Sequence, residues 1–142
     1  QVLVEEMIEG REFTVGVFRT KGEIVVLPIT EVVAHKEFFD FEAKYGGKST
    51  ETTPAAISEE WKNHLEATAK KIYQVFNCRG VVRIDFIYQA TQNKAYMLEI
   101  NTIPGQSDAS VIPQQVRARG WKLQDFYTRL VEEALNSIGQ PA

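Results

Sequence analysis

Apolar and polar positions along the chain change period several times, and each change marks an element. Val2 to Met7 is apolar with two acids and reads as a strand or the end of one, after which Glu9-Gly10 turns the chain. Glu12 to Arg19 is rich in β-branched and aromatic residues and predicts a strand. Lys21-Gly22 is a hairpin turn, and Glu23 to Val33 returns as a second strand with Pro28 marking an edge or a bulge. His35 to Thr53 has no regular period. Ser58 then predicts an N-cap, with Glu59 and Glu60 in the first turn, where the helix dipole favours acids. Trp61, Leu65, Ala69, Ile72 and Phe76 recur at helical steps, and Gly80 marks the exit. Val81 to Tyr88 and Tyr96 to Asn101 read as strands joined through the polar stretch Gln89 to Ala95. After a loop from Thr102 to Ser110, Pro113 opens a short helix that ends at Gly120. Leu123, Phe126, Tyr127, Leu130, Val131, Ala134, Leu135 and Ile138 form a last amphipathic helix, and residues 139–142 are expected to fray.

These elements run ββ-loop-α-ββ-α-α behind the first strand-like segment. Hairpins join the strands, so the expected class is α+β, with a mostly antiparallel sheet and helices packed on one face. The 142 residues suffice for one domain, and nothing inside the chain marks a boundary. With 44% hydrophobic and 25% charged residues the composition is that of an ordinary globular chain rather than a disordered one. The formal net charge of −3 gives no basic footprint for nucleic acid, and no apolar run reaches membrane-spanning length. A single cysteine, Cys78, agrees with a reducing cytosol and reads as a small apolar residue at a junction. His35 and His64 stand apart from any metal-ligand spacing and are expected at the solvated surface.

The hairpin carries the most chemical information. Strand side chains alternate faces, so Val82, Ile84 and Phe86 share one face while Arg83 and Asp85 share the other. On the return strand Leu98 and Ile100 oppose Glu99 and Asn101. Matching the apolar faces gathers Arg83, Asp85, Glu99 and Asn101. Two carboxylates and an amide oxygen are hard ligands that suit Mg²⁺, which completes its shell with water and phosphate oxygens. An adjacent arginine suits a phosphate or a developing oxyanion. The same pattern also describes a solvated sheet face with cross-strand ion pairs. A second acidic group (Glu5, Glu6, Glu9 and Glu12) lies near the start of the chain, where an exposed sheet edge explains it equally. Lys44 and Lys48 flank Gly46-Gly47 in a loop without a Walker-type motif.

Four blocks resemble D-alanine–D-alanine ligases of the ATP-grasp superfamily. Val4 to Val15 (VEEMIEGREFTV) is similar to their nucleotide-binding strand pair, and Phe38 to Tyr45 (FFDFEAKY) to their F-Y-D-Y-E-A-K-Y loop. Cys78 to Asp85 (CRGVVRID) resembles their C-R-G-x-x-R-x-D strand, and Leu98 to Gly105 (LEINTIPG) their E-x-N-T-x-P-G strand. The blocks occur in family order and cover nearly the whole chain. The resemblance implies an ATP-grasp C-terminal lobe and an enzyme that joins two D-alanines with ATP for peptidoglycan precursors. It implies that Asp85, Glu99 and Asn101 hold two Mg²⁺ (or Mn²⁺) ions on the ATP phosphates. Arg83 would stabilise the transferred phosphate and the tetrahedral intermediate. Lys44 would contact phosphate, and Tyr45 would sit on a loop that closes over the site. Glu5 and the Ile8 backbone would meet the adenine edge, and Glu12 the ribose. Gly105 would offer a backbone N–H to the oxyanion, and Ser110 would bind the carboxylate of the second D-alanine.

The resemblance further implies a cytoplasmic enzyme, homodimeric at full length, with D-alanine rather than nucleic acid or membrane as partner. Parts of the family that precede this region are absent upstream of Gln1, so the chain alone is expected to have little ligase activity. The loop over 36–53 is expected to lack order without nucleotide. The sequence departs from the family pattern after the second metal strand, where Asp108 appears and Ala109 stands in place of the usual histidine. Alternatives are another ATP-grasp carboxylate–amine ligase, including a D-alanine–D-lactate type, and a non-catalytic nucleotide-binding module.

Overall fold

A computed structural model describes residues 2–34 and 49–136. Its centre is strand β1 (Arg11–Thr20), which pairs antiparallel with β2 (Glu23–Val26), β3 (Thr30–Ala34) and β5 (Val81–Gln89). Strand β4 (Ser49–Thr52) extends the sheet beyond β3, and β6 (Lys94–Asn101) extends it beyond β5. Every pairing is antiparallel, as the hairpin reading requires. Lys21 and Gly22 have φ of 51° and 78°. That places both central residues of the β1–β2 turn in the left-handed region a type I′ hairpin needs. Pro28 falls in the break between β2 and β3, both of which still pair with β1.

The three helices are α1 (Glu59–Val75), α2 (Val111–Ala118) and α3 (Leu123–Asn136). The Ser58 hydroxyl accepts the Trp61 N–H at 3.2 Å and caps α1 as its sequence predicts. The helix buries Leu65, Ala69 and Tyr73 against Phe13, Val15, Val17, Val82, Ile84 and Phe86. Each fully buried Leu, Val, Ile or Phe side chain among these stabilises the fold by about 1.5–3 kcal/mol. Phe76, expected on this stripe, instead terminates α1 and is 57% exposed. Tyr73 takes its place in the core, where its hydroxyl donates to Gly80 O at 2.7 Å and burial pushes its pKa up to about 12.

The α+β class and the antiparallel sheet agree with expectation, but the helices divide between the two faces instead of sharing one. Phe18 and Leu27 pack with Ile112, Val116 and Phe126 of α2 and α3 on the face opposite α1. Gly16 permits that approach, because a Cβ there would lie 2.4 Å from Gln115 Oε1. The physical reason is visible in β1, where Phe13 to Phe18 is buried without interruption. A strand buried continuously must be covered on both faces.

Two further expectations change. Residues 2–9 form no strand, and Val2, Leu3, Val4 and Met7 are exposed. The stretch from His35 to Thr53 is not irregular throughout, because Ser49–Thr52 pairs with Thr52 opposite Glu31 and Ser49 opposite Ala34. No helix among the described residues is long and apolar enough to cross a membrane.

Candidate functional site

The pairing of β5 with β6 sets Asp85 opposite Glu99 and Arg83 opposite Asn101. All four fall on the face that carries α2, as alternation predicts for this end of the hairpin. The register needs a bulge, since Phe86 pairs with Met97 and the next pair is Asp85 with Glu99. Leu98 is therefore an extra residue rather than a face-mate of Ile100, and it is 49% exposed.

Arg83 lies between the two carboxylates. Its Nη2 donates to Asp85 Oδ2 at 2.8 Å and to Glu99 Oε1 at 3.0 Å, and its Nε donates to Asp85 Oδ1 at 3.1 Å. Burial acts to lower the Arg83 pKa, but the two carboxylates outweigh it and raise it. Asp85 is 9% exposed and receives a further bond from the Thr14 hydroxyl, 2.9 Å from Oδ1. Glu12 belongs to the same face, two residues before Thr14 on β1, and burial together with the nearby Asp85 charge raises its pKa. Asn101 Oδ1 accepts the Ile103 N–H at 3.0 Å, which fixes the amide at the start of the following loop.

Asp85, Glu99 and Asn101 present only oxygen donors. Among the described residues there is no group of three or more His, Cys, Asp or Glu side chains placed to hold a metal. A cation here would rest on two carboxylates and one amide oxygen, with ligand oxygens completing its shell. That donor set fits Mg²⁺ and does not fit zinc.

Beside the carboxylates, a cavity of about 200 Å³ is lined by Glu51, Arg83, Pro104, Gly105, Ala109, Ser110, Val111 and Ile112. Arg83 of β5 therefore meets Gly105 and Ser110 of the loop after β6 in one cavity. A Cβ at Gly105 would lie 2.8 Å from Ser110 Oγ, so a side chain there would displace that hydroxyl. Ser110 precedes α2, and its hydroxyl pairs with that of Ser107 at 2.8 Å. Arg117 holds the same loop by donating to Asp108 O at 3.0 Å and pairing with its carboxylate. The sequence departures at Asp108 and Ala109 thus form a clamped turn at the edge of the cavity.

The remaining expected residues are placed differently. Glu5 is exposed in the segment before β1, and Ile8 is half-buried there. No hydrogen bond or ion pair among the described residues joins either of them to the Asp85–Glu99 face. Lys44, Tyr45 and His35 lie outside the described residues. Glu51 was not foreseen, and its only sequence signal is an isolated acid before Pro54. Thr14 was also missed, although it shares a face with Glu12 by simple alternation. His64 is not free surface, since its Nδ1 lies 3.1 Å from the Tyr88 hydroxyl. Cys78 is buried and unpaired, and burial raises its pKa, which opposes a nucleophilic role.

Residues 1–132 match the family model described as D-ala D-ala ligase C-terminus. The chain belongs to the D-alanine–D-alanine ligase C-terminal family. It is 48% identical over 135 residues to the D-alanine–D-alanine ligase of Flavobacterium johnsoniae, which covers 95% of the chain and 41% of that protein. The chain thus spans about 41% of the length of the curated relatives it matches. Its fold is similar to the crystal structure of the Bacillus anthracis enzyme, with a TM-score of 0.76 at 28% identity over 93% of the chain and 42% of that structure. A second structure of that enzyme, complexed with ATP, matches with a TM-score of 0.75 at 28% identity over the same shares. The family match accounts for the antiparallel sheet and for the four sequence blocks in their order.

Proposed function

We propose that this chain is the nucleotide- and metal-binding catalytic portion of a D-alanine–D-alanine ligase. The observation that carries the reading is the Arg83 guanidinium seated between Asp85 and Glu99, beside a cavity closed by Gly105 and Ser110. Family membership and the ATP-bound relative support it. The reading includes a cytosolic setting, a homodimeric complete enzyme, and Lys44, Tyr45, Glu5, Ile8 and Glu12 on the nucleotide side.

The reaction has two steps. The γ-phosphoryl group of ATP passes to the carboxylate of the first D-alanine, so a P–O bond to ADP breaks and an acyl phosphate forms. The amine of the second D-alanine then attacks the acyl carbon. A C–N bond forms, phosphate leaves with the C–O electron pair, and the nitrogen sheds a proton. Asp85, Glu99 and Asn101 are the residues that would hold two Mg²⁺ (or Mn²⁺) ions, which screen phosphate charge when bound. Arg83 supplies a positive charge at the junction of phosphate side and cavity, where charge accumulates on the carbonyl oxygen. The Gly105 N–H would add to that oxyanion stabilisation, and the Ser110 hydroxyl, in the same cavity, would bind the carboxylate of the second D-alanine.

The test uses the complete ligase that contains this chain, assayed for ADP release with D-alanine. D-alanine-dependent ADP and phosphate in a 1:1 ratio with dipeptide is the expected result. Arg83→Met should lower turnover by about 100-fold or more, the effect of losing one oxyanion-stabilising group. ADP release that ignores D-alanine and follows another amino acid would replace this reading with a different carboxylate–amine ligase.

A further inference from the structure

The cavity beside Arg83 has an unusual balance for its size. Among its described lining residues, Arg83 is the one cation and Glu51 the one anion. Ser110 adds a hydroxyl, while Pro104, Ala109, Val111 and Ile112 supply apolar wall. A positive site, a negative site and a small apolar surface within about 200 Å³ match a small zwitterionic amino acid.

Glu51 reaches this wall because β4 is a strand. The ladder aligns Glu51 with Val32, which aligns in turn with Glu12. Glu51 therefore lies on the same sheet face as Glu12, Thr14 and Asp85. Its carboxylate is positioned, since Gln114 Nε2 donates to Oε2 at 2.9 Å. The same amide donates to Ala109 O at 2.9 Å, so one side chain of α2 ties Glu51 to the residue next to Ser110. Oε1 accepts no hydrogen bond among the described residues.

We propose that Glu51 receives the amino group of the second amino acid and selects an amine over a hydroxyl nucleophile. The proposal rests on the ligase reading above and adds a residue and a specificity to it. An ammonium that leaves water for a cavity needs a carboxylate partner, and a charge-assisted bond supplies it. The ammonium then passes one proton to the Glu51 carboxylate, which frees the nitrogen lone pair for attack on the acyl carbon. A 2-hydroxy acid such as D-lactate brings no cation, so Glu51 would stay unpaired opposite a hydroxyl. Leaving a charged group unpaired rejects the wrong ligand more strongly than a missing methyl does.

The experiment compares the complete wild-type ligase with Glu51→Gln and Glu51→Asp. Each is assayed for the KM of the second D-alanine, the KM of ATP, and use of D-lactate, between about pH 6 and about pH 10.5 at roughly half-unit steps. Glu51→Gln should raise the second-site KM by about tenfold or more at neutral pH, the scale of a lost hydrogen bond to a charged group. The ATP KM should stay within about twofold of wild type. The defect should shrink as pH rises through the D-alanine amino group's titration, because a neutral amine needs no counter-charge. Glu51→Asp should recover part of the loss, and D-lactate should gain relative to D-alanine in Glu51→Gln. An unchanged second-site KM in a fully active Glu51→Gln enzyme would overturn the proposal while leaving the ligase reading intact. So would a defect equal at every pH and shared by ATP. Wild-type enzyme without D-alanine-dependent ADP release would instead remove the ligase reading itself.

Discussion

Thr14 on β1 faces Asp85 on β5, and the Thr14 hydroxyl donates to Asp85 Oδ1 across 2.9 Å in a buried setting. This bond fixes Oδ1 from the sheet, while Arg83 engages both carboxylate oxygens, Oδ1 through Nε and Oδ2 most closely through Nη2. Thr14→Val keeps the shape and removes the donor. A lost hydrogen bond to a charged group should cost about 1.5–3 kcal/mol, read as a lower urea midpoint with an unchanged m value. Nucleotide affinity measured by calorimetry in the presence of Mg²⁺ should fall with it.

Gly16 is the point at which α2 meets β1. A Cβ there would stand 2.4 Å from Gln115 Oε1, 2.7 Å from Ile112 Cδ1 and 2.9 Å from Leu27 Cδ1. Gln115 cannot easily yield, because its Nε2 donates both to Thr14 O and to Thr30 Oγ1 at 3.0 Å in the core. Gly16→Ala should therefore destabilise by about 1–3 kcal/mol through overpacking, measured by chemical denaturation. An equal or higher midpoint would show that α2 shifts away without penalty.

Gly105 separates stability from substrate handling. Its added methyl would meet the Ser110 hydroxyl and displace it, yet Gly105 needs no left-handed backbone. Gly105→Ala in the complete ligase should raise the KM of the second substrate severalfold. The thermal midpoint should move by no more than a few degrees.

Arg11 and Glu31 supply a pH signature distant from the site. Arg11 Nε donates to Glu31 Oε1 at 2.7 Å, and this bond holds the Glu31 carboxyl below its ordinary range. A depressed folded-state pKa makes the contribution fully present above the unfolded value of about 4.3, and lost as pH falls through the lower folded value. Glu31→Gln should thus be less stable than wild type at neutral pH. The gap should close below about pH 4, read from urea midpoints across the acid range.

The sequence made the β5–β6 hairpin legible because its two faces differ sharply in polarity. Apolar Val82, Ile84 and Phe86 leave Arg83 and Asp85 only one side to occupy. β4 gave no such signal. Ser49 to Thr52 is polar and exposed at every position, and its strand conformation comes from pairing with β3 rather than from its own pattern. Glu51 was hidden for the same reason. The second helix layer was readable in part, since the run from Phe13 to Phe18 is apolar or small at every residue but one. What concealed it was Gly16, whose meaning depends on a partner about a hundred positions later. Phe76 fitted the α1 period by spacing alone, but the helix ends before that residue can turn inward.

The extra residue at Leu98 has a consequence for how this hairpin tolerates change in length. Tyr96 faces the same side as Ile87, while Glu99 and Asn101 face the same side as Asp85 and Arg83. Strict odd–even counting from Tyr96 would send both acidic and amide oxygens to the α1 side. Leu98 acts as a parity switch between a turn end and a chemical end that keep separate counts. Removing Leu98 would leave Glu99 opposite Asp85 in a straight ladder, whereas one more insertion beside it would have to be absorbed in the same spot. The polar turn can therefore drift in sequence without moving the carboxylates, because the two halves of the strand are geared to each other through a single spare residue.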